Sequence, residues 1–166
     1  MDPRYQQLAA RIHLGHSARI AGLFAMLADL RQADLLLALP STAPDLGLRF
    51  GLSSEEVEAQ LRDLFRKGLV FVNPKATPPN WRMCRDLVQF HDATLVWPEA
   101  PQAFLDLWRD FMEQEWPDLA KVVAQKSPRP FTRVIPVGVA IAPRQQILAF
   151  DNVAQMIDQA DTIAVT

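Results

Sequence analysis

Apolar residues recur mostly at helical spacing up to about residue 126, interrupted by two short stretches of β-type pattern, and the pattern turns β-rich beyond it. Pro3 to His13 predicts a short amphipathic helix with Leu8, Ala9 and Ile12 on one side. Gly15 ends it, and Ser17 is placed to cap the next helix. Ile20, Leu23, Phe24, Leu27 and Leu30 then continue one stripe, which runs through Asp34 to Leu39 and stops at Pro40. Its last part, ADLLLALP, is the first helix of a compact unit that follows.

Ser41 or Thr42 can cap a second helix with Pro44 in its first turn, and Gly51 suits a left-handed C-terminal cap. Ser53 and Glu56 form the S-x-x-E capping box of a third helix, in which Val57, Leu61, Leu64 and Phe65 make a stripe expected to be buried. Gly68 ends it. Leu69–Val72 and Trp81–Cys84 read as paired strands, joined by a loop holding Asn73, Pro74, Pro78, Pro79 and Asn80. Three short helices followed by a hairpin with a long tip predict a winged helix-turn-helix.

After the hairpin, Asp86 caps a helix carrying Leu87, Phe90, His91, Thr94 and Leu95. Pro101 starts a longer one with Phe104, Leu105, Trp108, Phe111 and Met112 on one face, and Pro117 must kink or restart it. Ser127–Pro130 is a linker by composition. Beyond it, Phe131–Ile141, Ile147–Phe150 and Thr162–Val165 are strand-like, with a helix capped by Asp151 between the last two. The expected fold class is therefore mainly α with a small β component. It is divided into N-terminal helices (1–30), the winged unit with its following helix (31–96), a long kinked helix (97–128) and the start of a small α/β layer (129–166), which has the look of a truncated piece.

Composition narrows the function classes. The 166 residues carry a net charge of −2, so no global positive field draws the chain to nucleic acid or anionic lipid. No apolar run reaches the roughly 18 residues of a membrane span, and the first residues lack the apolar core of a secretory signal. Cys84 is the single cysteine, which suits a reducing cytoplasm and falls short of the usual set of about four thiolates that holds an iron–sulfur cluster. A soluble, cytoplasmic protein is expected.

In DNA readers of the winged class the third helix enters the major groove and the hairpin touches the backbone. Here that helix carries four acids (Glu55, Glu56, Glu58, Asp63) against three bases (Arg62, Arg66, Lys67), with acids in the leading turns. Phosphate neutralisation drives affinity, so an acidic leading end opposes the duplex. DNA contact would fall to Gln60, Arg66, Lys67, Lys75 and Arg82. The favoured alternative is a packing, dimerisation or docking module whose charges are merely solvated. His13 and His16 read as a surface pair without further ligands. His91 and Asp92 could support acid–base work, but helix neighbours point about 100° apart, which favours a packed histidine. Trp97, Trp108 and Trp116 fit core or oligomer packing better than base stacking or a ligand pocket. No phosphate loop, nucleophile elbow or catalytic constellation is present.

Six stretches taken together resemble the N-terminal region of cytoplasmic 4Fe-4S ferredoxin-type proteins of anaerobic prokaryotes. These are Ala33–Pro40, Leu61–Val72, Val88–Pro98, Phe104–Trp116, Arg133–Ile141 and Asp151–Thr166, of which QFHDAT and RVIPV are the most specific. The resemblance implies a helical, winged-helix front part, followed in a longer parent by cysteine-rich motifs that bind 4Fe-4S clusters. The family's Cys-x-Cys-Arg motif would come shortly after the segment matching Thr162–Thr166. No residue of this chain matches a cluster ligand, Cys84 included, so the chain itself is expected to bind no cofactor. Its expected role is a cluster-free front module that docks a protein partner, the rest of its parent or a second copy; the rival role is a DNA-binding regulator.

Overall fold

The computed structural model describes residues 1–126, and the α/β layer expected from 129 onward lies outside the described residues. Contacts divide the chain into Met1–Leu119 and Ala120–Thr166. The described residues are mainly helical with one two-stranded antiparallel sheet, the α+β class read from the sequence.

Most of the helices begin on a side chain that caps them. The first, α1 (Pro3–Arg11), starts on Asp2, whose carboxylate accepts from the Arg4 amide. Ser17 caps α2 (Ala18–Leu27) by accepting from the Ile20 amide at 3.1 Å. The stripe expected to run unbroken to Leu39 is in fact two helices. Ala28 is extended, and Asp29 opens α3 (Leu30–Leu37) with a full capping box. Its carboxylate accepts from the Gln32 amide at 2.8 Å, and the Gln32 side chain accepts from the Asp29 amide at 3.2 Å. Two satisfied backbone donors offset the break in a stripe whose apolar spacing alone runs straight through it.

Thr42 caps α4 (Ala43–Phe50), which ends on Gly51 in the left-handed region at φ 66°. Ser53 caps α5 (Ser54–Arg66), and Gly68 follows its end at φ 79°. Strands β1 (Val70–Asn73) and β2 (Asn80–Met83) pair from Val70 opposite Met83 to Asn73 opposite Asn80. Ser41, between α3 and α4, joins the same sheet as a single bridge, exchanging two backbone hydrogen bonds with Trp81.

Asp86 caps α6 (Leu87–Leu95), and Pro101 precedes α7 (Gln102–Gln114). Pro117 does restart the chain: Glu115 ends α7, and α8 (Trp116–Lys126) begins with the proline in its first turn, where no N–H is required.

The core of the first unit joins α1 through α7. Phe24, Phe90, Phe104 and Phe111 are its largest fully buried side chains, with Leu36, Leu46 and Leu61 among the aliphatics. Burying each such side chain contributes about 1.5–3 kcal/mol relative to leaving it exposed. Phe24 and Phe90 stack at 4.4 Å, joining α2 to α6. Trp108 packs between Phe90 and Phe111, and its indole N–H donates to Thr94 Oγ1 at 3.2 Å, so its polar end is satisfied inside the core. One charged residue ties α1 to the end of α3: the Arg11 guanidinium donates to the Leu36, Leu37 and Leu39 carbonyls, where the helix runs out of its own donors.

Two expectations within this core need correction. Phe65, placed in the buried stripe of α5, is half-exposed and meets the ring edges of Phe71 and Trp81 instead. Leu105 and Leu95 also lie outward. In each case the stripe is narrower than the apolar pattern, because the neighbouring elements cover only part of it.

Candidate functional site

The third helix and the hairpin are held in place by local chemistry and close packing. Ser53 Oγ accepts from the Glu56 amide at 3.1 Å, and Glu56 accepts from the Ser53 amide at 2.7 Å. Those bonds from Ser53, backbone first and then hydroxyl, hold the Glu56 carboxyl below the usual carboxylate range, so the leading turn of α5 stays anionic. Before it, Gly47 lets α4 pass close to the turn: a Cβ there would lie 2.7 Å from the Leu52 carbonyl oxygen.

The five residues assigned to DNA contact do not share one free surface. Gln60 is half-buried and lines a pocket with Arg31, Asp34, Leu35, Phe50 and Leu52. Lys67 donates to Asp63 Oδ2 at 2.7 Å and lies 5.9 Å from the centre of the Trp97 ring. Asp63 also accepts from Gln32 Nε2 at 2.9 Å. Partial burial raises the Asp63 pKa, but the hydrogen bonds from Lys67 and Gln32 and the charges of Lys67 and Arg66 outweigh it, so its carboxyl titrates below normal.

Arg82 sits 4.9 Å from the centre of the Phe71 ring and donates to the Gln89 side chain at 3.0 Å and the Met83 carbonyl at 3.1 Å. Gln89 accepts from the Arg85 amide as well, which fastens the hairpin to α6. Arg66 pairs with the exposed carboxylate of Glu99. An exposed pair of this kind contributes about 0.2–1 kcal/mol, so an incoming phosphate could recruit Arg66, whereas Lys67 and Arg82 each have more than one partner to lose. Lys75 is exposed near the hairpin tip.

The partners that engage these cations were not foreseen from sequence. Glu99 lies in the loop after α6, far along the chain from Arg66, and Gln89 has no periodic relation to Arg82. Glu58 was placed on a solvated face, yet it accepts from Trp81 Nε1 at 3.3 Å and so joins α5 to β2. Arg62 is three-quarters exposed and only 3.8 Å from Glu58.

His13 and His16 are both exposed. His91 and Asp92 do meet, Nδ1 to Oδ1 at 2.9 Å, although helix geometry predicted that they would diverge. The imidazole rests edge-on against Trp108 at 4.9 Å, and the aspartate beside it is largely exposed. Burial, followed by the nearby Asp86 charge, pushes the Cys84 thiol up to about 12, which leaves it unreactive. Trp97 packs against Phe104, and Trp108 packs against Phe90 and Phe111.

Among the described residues no group of three or more His, Cys, Asp or Glu could hold a metal ion, and no helix is long and apolar enough to cross a membrane. Searches of family models, curated proteins and solved structures found no match to this chain.

Proposed function

We propose that residues 31–96 are a winged-helix module used to dock a protein rather than to read DNA. The supporting observation is the internal engagement of two of its cations: Lys67 with Asp63 and Trp97, and Arg82 with Gln89 and Phe71. The winged-helix reading draws support from the order α3–α4–α5–β1–β2 and from Ser41, which supplies a one-residue third strand. Half-exposed Phe65 beside the Phe71 and Trp81 rings, with Val72 exposed on β1, leaves apolar surface where a DNA reader would present cations. The partner is the remainder of a longer parent, a separate protein or a second copy. If the sequence resemblance holds, the partner is the rest of a 4Fe-4S parent, with the cluster ligands in that part.

Duplex binding by fluorescence anisotropy across a salt series is the test. Arg62, Arg66 and Lys75 are the recruitable cations, so any binding should be weak, with a log–log salt slope of only about −3. Saturable low-micromolar binding with a slope beyond about −5, lost in Arg66→Ala, would establish DNA binding instead. A parallel attempt to reconstitute the chain anaerobically with iron and sulfide should give no cluster absorbance.

A further inference from the structure

The pocket that takes in Gln60 has a composition that the docking role does not use. It has a volume of about 110 Å³ and lies between α3, the end of α4 with its following turn, and α5. Leu35, Phe50 and Leu52 supply its apolar surface, with Leu35 itself buried. Arg31, Asp34 and Gln60 supply its polar atoms. Asp34 is already paired, with Arg4 Nε 3.1 Å away, so its charge is offset. Among the described residues Arg31 has neither an ion pair nor a hydrogen bond, and the Gln60 carboxamide has no side-chain partner. The pocket therefore combines one uncompensated cation, one free amide and an apolar floor.

Size limits the occupant. A cavity of roughly 150 Å³ holds benzene, so this one takes an apolar body of about four or five carbons. A carboxylate matches the guanidinium in shape as well as charge, because its two oxygens can accept from the two arms of the fork. We propose that the pocket binds a short branched monocarboxylate, its carbon chain on Leu35, Phe50 and Leu52 and its carboxylate on Arg31. Gln60 donates a further hydrogen bond to the same group. Binding here would brace α3 against α5, the two helices already joined by Gln32 and Asp63.

The test is a titration of the full chain, followed by amide NMR, with 3-methylbutanoate and with its neutral analogue 3-methylbutanamide. The acid should give saturable shifts confined to residues 31–35, 50–52 and 60, with half-saturation in the region of about 1 mM. The neutral amide should bind at least about fivefold more weakly, since it cannot form the charge-assisted bond. Arg31→Gln should lose the same factor while Arg31→Lys keeps part of it; both should fold normally because Arg31 is exposed. No saturable shifts, equal binding of the neutral analogue, shifts elsewhere in the fold, or undiminished binding in Arg31→Gln would each overturn the assignment.

Discussion

Gly51 and Gly68 allow a steric cost to be separated from a conformational one. Both adopt left-handed backbone, at φ 66° and φ 79°, and they follow the ends of α4 and α5. A Cβ on Gly51 would meet nothing within 4 Å. A Cβ on Gly68 would lie 2.4 Å from the Ala93 carbonyl oxygen and 2.8 Å from the Thr94 amide nitrogen, both backbone atoms of α6. Alanine at either position bears the left-handed penalty of about 1–2 kcal/mol. Gly68→Ala must in addition push α6 away from the start of β1, an overpacking cost of about 1–3 kcal/mol. The difference between the two variants should therefore be about 2 kcal/mol. Urea unfolding followed by tryptophan fluorescence measures it directly. With a slope of about 2 kcal/mol per molar urea, Gly68→Ala should unfold at about 1 M lower urea than Gly51→Ala. Equal midpoints would refute the reasoning, because they would mean that the close approach of α5's end to α6 costs nothing.

Three further outcomes follow from the packing. Thr94→Val leaves the buried Trp108 indole N–H without its acceptor and should cost about 1–3 kcal/mol in the same unfolding assay, despite equal side-chain volume. Asp63 titrates below its ordinary range in the folded state, so its contribution is present above the unfolded pKa of about 3.9 and is lost as pH falls through the lower folded value. Asp63→Asn should accordingly destabilise the protein at pH 7 and converge with the parent in acid-range melts. Cys84 should resist a thiol-specific reagent in native buffer and react fully in denaturant, and rapid native labelling would contradict its burial.

Local signals carried most of the fold. Ser17, Thr42, Ser53 and Asp86 cap the helices whose starts they mark, because a side-chain oxygen beside free amides is a short-range effect that needs no distant partner. The Asp29–Gln32 box was equally local, but it was hidden inside an apolar stripe that kept helical phase across the break. Phe65 marks the limit of periodicity: spacing says which residues share a face, and only the neighbouring elements decide how far that face is covered. Site chemistry was less legible still. Arg66, Lys67, Arg82 and Gln60 were identifiable as polar groups on or near the third helix. Their state depends on Glu99, Trp97, Gln89 and Arg31, which reach them only through the fold.

The Arg11 guanidinium bears on how this protein can be divided. By holding the Leu36, Leu37 and Leu39 carbonyls it completes the end of α3 from a segment that precedes that helix in sequence. Cutting the chain before Asp29 would remove the Arg11 bonds from those carbonyls and bare the side of α3 that α1 covers. Shortened versions meant to isolate a DNA-binding or docking activity should therefore retain the first helix.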